Sequence, residues 1–120
     1  IFTGVNVHVR NGANATNTTN SLGNLVLGYN EPLQGAARNG SHNLVGGEMN
    51  SFESYGGLVF GTNNRLSGGH TAILGGGQNR ATGPYSTVIG GQQNTSTVNY
   101  EIKPLQPSTG GSTGGGMAGF

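Results

Sequence analysis

A short phrase of branched apolar residues, glycine and a closing asparagine is written five times through the middle of this 120-residue chain. The copies read NLVLGYN, NLVGGEMN, GLVFGTNN, AILGGGQN and TVIGGQQN. They share one glycine, at successive spacings of 19, 14, 15 and 15 residues: Gly28, Gly47, Gly61, Gly76 and Gly91. Self-similarity at a fixed period is the signature of a repeat architecture.

The period of about 15 residues selects the kind of repeat. Helix pairs, leucine-rich repeats and propeller blades all need about 20 residues or more. Two short strands and two tight turns fit, and they make one coil of a parallel β-solenoid, with coils stacked about 4.8 Å apart. We therefore predict an all-β chain with a solenoid of about five coils over residues 21–97. An N-terminal strand and Asn/Thr-rich capping segment (1–20) precedes it, and a strand-like segment with a Gly-rich tail (98–120) follows.

Two adjacent positions before the shared glycine are apolar in every copy. The first column holds Leu25, Leu44, Leu58, Ile73 and Val88, and the second holds Val26, Val45, Val59, Leu74 and Ile89. Because adjacent strand residues face opposite sides of a sheet, one column fills the coil and the other forms an outer apolar stripe. Soluble monomers seldom expose such a stripe. Identical chains packed side by side would cover it, as would the flanking segments 5–9 and 98–102; we favour the identical chains.

The corners of each coil are predicted at the glycines and asparagines. Glycine permits left-handed corner conformations. Three residues after the shared glycine stand Asn50, Asn64, Asn79 and Asn94, with Glu31 at this position in the first copy. The asparagines form a hydrogen-bonded column or serve as left-handed turn residues, and the two interpretations are compatible. The longer 19-residue unit contains an insertion within 31–40, which we expect to protrude as a loop.

The composition argues against several function classes. Only 8% of the residues are charged and the net charge is +1, whereas a nucleic-acid interface needs a patch of cations. The chain has no cysteine and no aspartate, and its three histidines share no metal-ligand spacing. No apolar run approaches the roughly 18 residues of a membrane span. We expect no catalytic site, no metal and no cofactor.

One column of rings is the candidate binding surface. His70 aligns with Tyr55 and Tyr85, so we interpret the three as stacked surface rings. They serve plain surface packing or, with the column of Arg65 and Arg80 beside them, bind a glycan or an anionic surface.

The two ends of the chain suggest how subunits join. The sequence shows no charged or helical cap at the last coil, so we expect its open edge to pair with another subunit. In the Gly-rich tail, Met117 and Phe120 are candidate apolar anchors for an inter-subunit clasp. The chain opens on Ile1 instead of Met, which suggests either that a leader peptide was removed or that the sequence is trimmed; removal of a leader would mean secretion.

The units LVFG, AILGG and TVIGG, followed by asparagine and a small-residue phrase such as ATGPYS, resemble the head repeats of trimeric autotransporter adhesins. The resemblance covers roughly residues 21–97 and implies a left-handed parallel β-roll, a bacterial surface or extracellular location, and side-by-side packing through the outer apolar column. Our first hypothesis is a non-enzymatic extracellular protein that self-assembles into a filament or surface fibre. The alternative is an adhesin-like head that displays loop 31–40 and the ring column to a host, matrix or glycan surface.

Overall fold

The computed structural model describes residues 1–104, in which ten short strands and no helix occur. The strands are β1 (Leu25–Leu27), β2 (Leu44–Glu48), β3 (Ser51–Phe52), β4 (Leu58–Thr62), β5 (Arg65–Leu66), β6 (Ala72–Ile73), β7 (Arg80–Ala81), β8 (Thr87–Val88), β9 (Thr95–Ser96) and β10 (Ile102–Lys103). All pairings are parallel. The larger sheet has the order β1-β2-β4-β6-β8-β10 and the smaller one β3-β5-β7-β9. The prediction of a parallel β-solenoid with about five coils of about 15 residues is confirmed. Within this part of the chain, nothing helical could cross a membrane.

Each sheet contributes one column of side chains to the coil interior. The larger sheet buries Val45, Val59, Ile73 and Val88 completely. The smaller sheet faces them with Phe52, Leu66, Ala81 and Ser96. No coil can bury these residues alone, so burial by the neighbouring coils supplies the hydrophobic stabilisation. The interior column of the smaller sheet changes from phenylalanine to serine along the solenoid. The interior therefore becomes less apolar toward the C-terminal end.

The strand register differs by one residue from the alignment on the shared glycine. Val59 pairs with Ile73, a step of 14 residues, whereas Thr62 bridges to Gly77, a step of 15. The later coil therefore accommodates one extra residue in the corner between these two pairings. The two apolar columns of the sequence alignment cross at this point: Ile73 and Val88 continue the interior column of Val59, not the outer column of Leu58.

The outer face of the larger sheet is apolar in this corrected register. Its first column holds Leu25, Leu44, Leu58, Ala72, Thr87 and Ile102, and its second holds Leu27, Gly46 and Phe60. Leu74 and Ile89 follow directly after the buried Ile73 and Val88, and by strand alternation they lie on this outer face. Leu74 is 52% exposed and Ile89 is 47% exposed. We call these eleven residues the apolar face. The outer apolar stripe predicted from the sequence is thus present. It combines Leu25, Leu44 and Leu58 of the first predicted column with Leu74 and Ile89 of the second.

The N-terminal segment is held against the first coil and leaves the apolar face uncovered. The Asn11 N–H donates to His42 Nε2 at 3.2 Å, so this nitrogen carries no proton. The proton lies on His42 Nδ1, which donates to the Thr16 carbonyl at 3.0 Å. Upstream, residues 5–9 form no strand, and Val5 remains 63% exposed. The suggestion that this segment covers the stripe is therefore wrong.

The C-terminal end of the described solenoid is polar. Lys103 on β10 pairs with Val88, which places it in the register of the interior column, and its Nζ lies 3.8 Å from Glu101 Oε2. One coil earlier, the hydroxyls of Ser86 and Ser96 lie 2.8 Å apart inside the coil. The expectation of an end without a charged cap needs correction, because charges that stand in line with the interior discourage a further chain from stacking there.

Candidate functional site

The asparagines form a hydrogen-bonded ladder that closes the corner between the two sheets. The Asn79 N–H donates to Asn64 Oδ1 at 2.8 Å, which links one coil to the next. Asn64 Nδ2 donates to the carbonyl oxygens of Phe60, in its own coil, and Gly76, in the next, at 3.0 and 3.1 Å. The same three contacts recur at Asn50 and at Asn79. The predicted column is therefore a ladder of amides, each of which joins two coils.

The left-handed turn residues lie one position before the ladder. Their φ angles are 55–60°, and they are Met49, Asn63, Gln78 and Gln93. In the first copy the ladder position is Asn30, whose Oδ1 accepts the Asn50 N–H at 2.8 Å, and not Glu31 as the alignment placed it. The later four corners thus use one residue for the conformation and the next for the hydrogen bonds, whereas Asn30 itself has a φ of 44°.

The shared glycines allow the coils to approach closely at the same corner. All five have positive φ, from 81° at Gly76 to 114° at Gly61. A Cβ at Gly47, Gly61 or Gly76 would overlap the carbonyl oxygen of the shared glycine in the next coil. Glycine is therefore required here by conformation and by space.

Three stacked rings and a fourth that meets them edge-on line the opposite corner of the solenoid. His70, Tyr85 and Tyr100 have φ angles of 56°, 60° and 65° and occupy equivalent turn positions. Their ring centroids lie 5.5 Å apart, with interplanar angles of 14° and 13°. The His70 N–H donates to the Tyr55 carbonyl, so Tyr55 lies one residue before the turn position that is equivalent to His70. The Tyr55 ring meets the His70 ring edge-on, with the ring centroids 5.2 Å apart. The predicted column of Tyr55, His70 and Tyr85 is thus corrected to three stacked rings, His70, Tyr85 and Tyr100, with Tyr55 edge-on against the His70 end.

The stacked rings present their edges to solvent. Tyr85 is 55% exposed and Tyr100 is 74% exposed. A planar group inserted between two rings would need roughly 7 Å, twice the optimal separation of carbon atoms, and 5.5 Å does not allow it. A ligand of this column would therefore contact ring edges and tyrosine hydroxyls.

The outer face of the smaller sheet is polar, in contrast to the apolar face. Ser51, Arg65, Arg80 and Thr95 stand there in register. Glu53 forms a two-pronged ion pair with Arg65, with Nε 2.8 Å from Oε2 and Nη2 3.1 Å from Oε1. The solenoid thus has one apolar and one polar broad side.

The insertion folds back along the polar side instead of protruding freely. Arg38 holds it through Nε to the Asn50 carbonyl at 2.9 Å and Nη2 to the Glu31 carbonyl at 2.8 Å. The Phe52 N–H donates to the Ala37 carbonyl at 2.9 Å, so the insertion continues the edge of the smaller sheet at β3. The expectation of a protruding loop is wrong, because these long-range bonds tie the segment down.

Within residues 1–104, no group of three or more histidine, aspartate or glutamate side chains is placed to hold a metal ion. The proposed clasp residues Met117 and Phe120 lie outside the described residues. Comparison with protein-family models, with curated proteins and with solved structures gives no significant match.

Proposed function

We propose that this chain is a non-enzymatic extracellular structural subunit that associates side by side with copies of itself and so builds a filament or surface fibre. The observation that carries the proposal is the contrast between the two broad sides of the solenoid. One side carries the apolar face, whose exposed members are Leu25, Leu27, Leu74, Ile89 and Ile102. The other side carries arginine, glutamate, serine and threonine. Contiguous exposed apolar surface of this kind marks interaction sites.

A second copy is the occupant that best suits the apolar face. The face follows the solenoid from β1 to β10, so it has the length of the coil stack and matches an identical rod laid beside it. Most soluble oligomers consist of identical chains, and lateral contacts between identical chains that do not close into a ring extend into a filament. The sequence resemblance to the head repeats of trimeric adhesins supports the same lateral packing, a left-handed coil and a location outside a bacterial cell. The polar end at Lys103 favours lateral over end-to-end contact.

Glutamate at two positions of the apolar face tests this proposal. Leu74 and Ile89 are about half-exposed, so Leu74→Glu with Ile89→Glu is expected to leave the fold intact. Association would bury both charges without partners, which costs several kcal/mol, and assembly should be lost. The test is negative-stain electron microscopy of the variant and the wild type, with circular dichroism to verify the fold.

Thr97→Glu is the matched control, because Thr97 is exposed directly after β9 on the polar side of the solenoid. This variant should assemble like the wild type. If the double variant on the apolar face also assembles normally, the proposed interface is refuted.

An adhesin-like surface-binding module is the second candidate, and the exposed ring stack favours it. Replacing Tyr85 and Tyr100 together by alanine should then abolish binding to the surface that the wild type recognises, such as a glycan-coated plate. Assembly should be unaffected, since neither ring belongs to the apolar face. Unchanged binding by this variant would remove the ring column from consideration.

A further inference from the structure

A groove separates the insertion from the polar face of the smaller sheet. Its volume is about 200 Å³. Residues 33–37 of the insertion line one side, and the other side is lined by Ser51, Glu53, Asn63, Asn64, Arg65 and Arg80. Insertions in repeat proteins commonly fall on the binding face. In this groove the insertion, which lengthens one unit of the repeat, meets Arg65 and Arg80, two arginines in register on adjacent strands.

The groove carries an excess positive charge. Arg65 and Arg80 are direct neighbours on β5 and β7, an arrangement in which like charges repel. Glu53 neutralises Arg65. The ion pairs within residues 1–104 are Arg65–Glu53 and Lys103–Glu101, so none involves Arg80, and residues 105–120 contain no aspartate or glutamate.

The walls of the groove are fixed by hydrogen bonds. Arg38 and the bond from the Phe52 N–H to the Ala37 carbonyl anchor the base of the insertion. The Ala36 N–H donates to the Leu33 carbonyl at 3.0 Å, which closes a turn at the tip. On the sheet side, the pairing with Glu53 holds the Arg65 guanidinium in place. A preformed site of this kind loses little conformational entropy when a ligand binds.

We propose that this groove binds a carboxylate group carried by an acidic saccharide, with Arg80 as the primary contact. A guanidinium group matches a carboxylate through two parallel hydrogen bonds. The volume of about 200 Å³ accommodates one sugar ring, and amide side chains such as Asn63 and Gln34 are suited to its hydroxyl groups. The proposal is independent of self-association, because the groove lies on the side opposite the apolar face.

The test is isothermal titration of the chain with digalacturonic acid and with its methyl ester. Wild type is expected to bind the acid and not the uncharged ester. Binding should weaken as salt is raised from about 50 to about 500 mM, because the Debye length falls severalfold. Equal affinity for acid and ester, or no saturable heat with the acid, would overturn the proposal.

Three variants assign the binding to Arg80. Arg80→Gln should weaken binding about tenfold or more, and Arg80→Lys should give an intermediate loss, since it keeps the charge without the guanidinium fork. Glu53→Gln should tighten binding, because it leaves Arg65 without its carboxylate partner. Arg10→Gln is the control, because Arg10 is an exposed cation of the N-terminal segment. If Arg80→Gln binds like wild type while circular dichroism shows a folded chain, the assignment fails.

Discussion

Replacing Gly76 by alanine is expected to destabilise the solenoid by about 2–5 kcal/mol or to prevent folding. The left-handed conformation alone costs an alanine about 1–2 kcal/mol. The new Cβ would also overlap the Gly91 carbonyl oxygen, and relieving such a contact between backbones adds about 1–3 kcal/mol. The change in the free energy of unfolding is measured by urea denaturation followed by circular dichroism.

The neighbouring Gly75 provides the matched control. A Cβ there meets nothing within 4 Å, and the φ angle of Gly75 is not positive. Gly75→Ala should therefore change the free energy of unfolding by no more than about 0.5 kcal/mol. Equal destabilisation by the two alanines would mean that the corner does not hold the coils in the close contact described above.

Replacing Asn64 by alanine is the second large effect, with an expected loss of about 3 kcal/mol or more. The Asn79 N–H loses its acceptor, and the carbonyls of Phe60 and Gly76 each lose a donor. A buried polar group left without a partner costs about 1–3 kcal/mol. The Gly76 carbonyl keeps the Thr62 N–H, so we expect less than three full penalties. Thermal and urea unfolding measure the loss.

Asn94 is the last rung of the ladder and serves as the comparison. Within the described residues its Oδ1 accepts no hydrogen bond, and it is half-buried, whereas Asn64 is 1% exposed. Asn94→Ala should therefore cost clearly less than Asn64→Ala. Equal costs at the two positions would show that contacts within one coil, and not the links between coils, account for the stabilisation.

The sequence predicted the coil because every coil presents the same environment to the same kind of residue. The recurring Val45 and Val59 predict an interior column, and Gly61 and Asn64 predict a corner at a fixed offset. Such local requirements repeat with the period, so the architecture follows from the period itself.

The details that the sequence did not predict depend on long-range contacts or on residues whose alignment with the repeat is ambiguous. The alignment on the shared glycine placed Gly76 at the corner, but it kept the apolar offset constant and so missed the additional residue between the pairings of Ile73 and Gly77. The phrase around Lys103 does not resemble the repeat, which hid its pairing with Val88. The path of the insertion depends on Arg38, whose partners lie up to 12 residues away.

Sedimentation equilibrium of the full chain over a wide range of concentration tests the central claim of self-association most directly. The single chain has a mass of 12.1 kDa. Our account predicts a mass that is a multiple of this value, rises with concentration, and returns to the single-chain mass when Leu74 and Ile89 are replaced by glutamate. A wild-type mass of one chain at every concentration would contradict it.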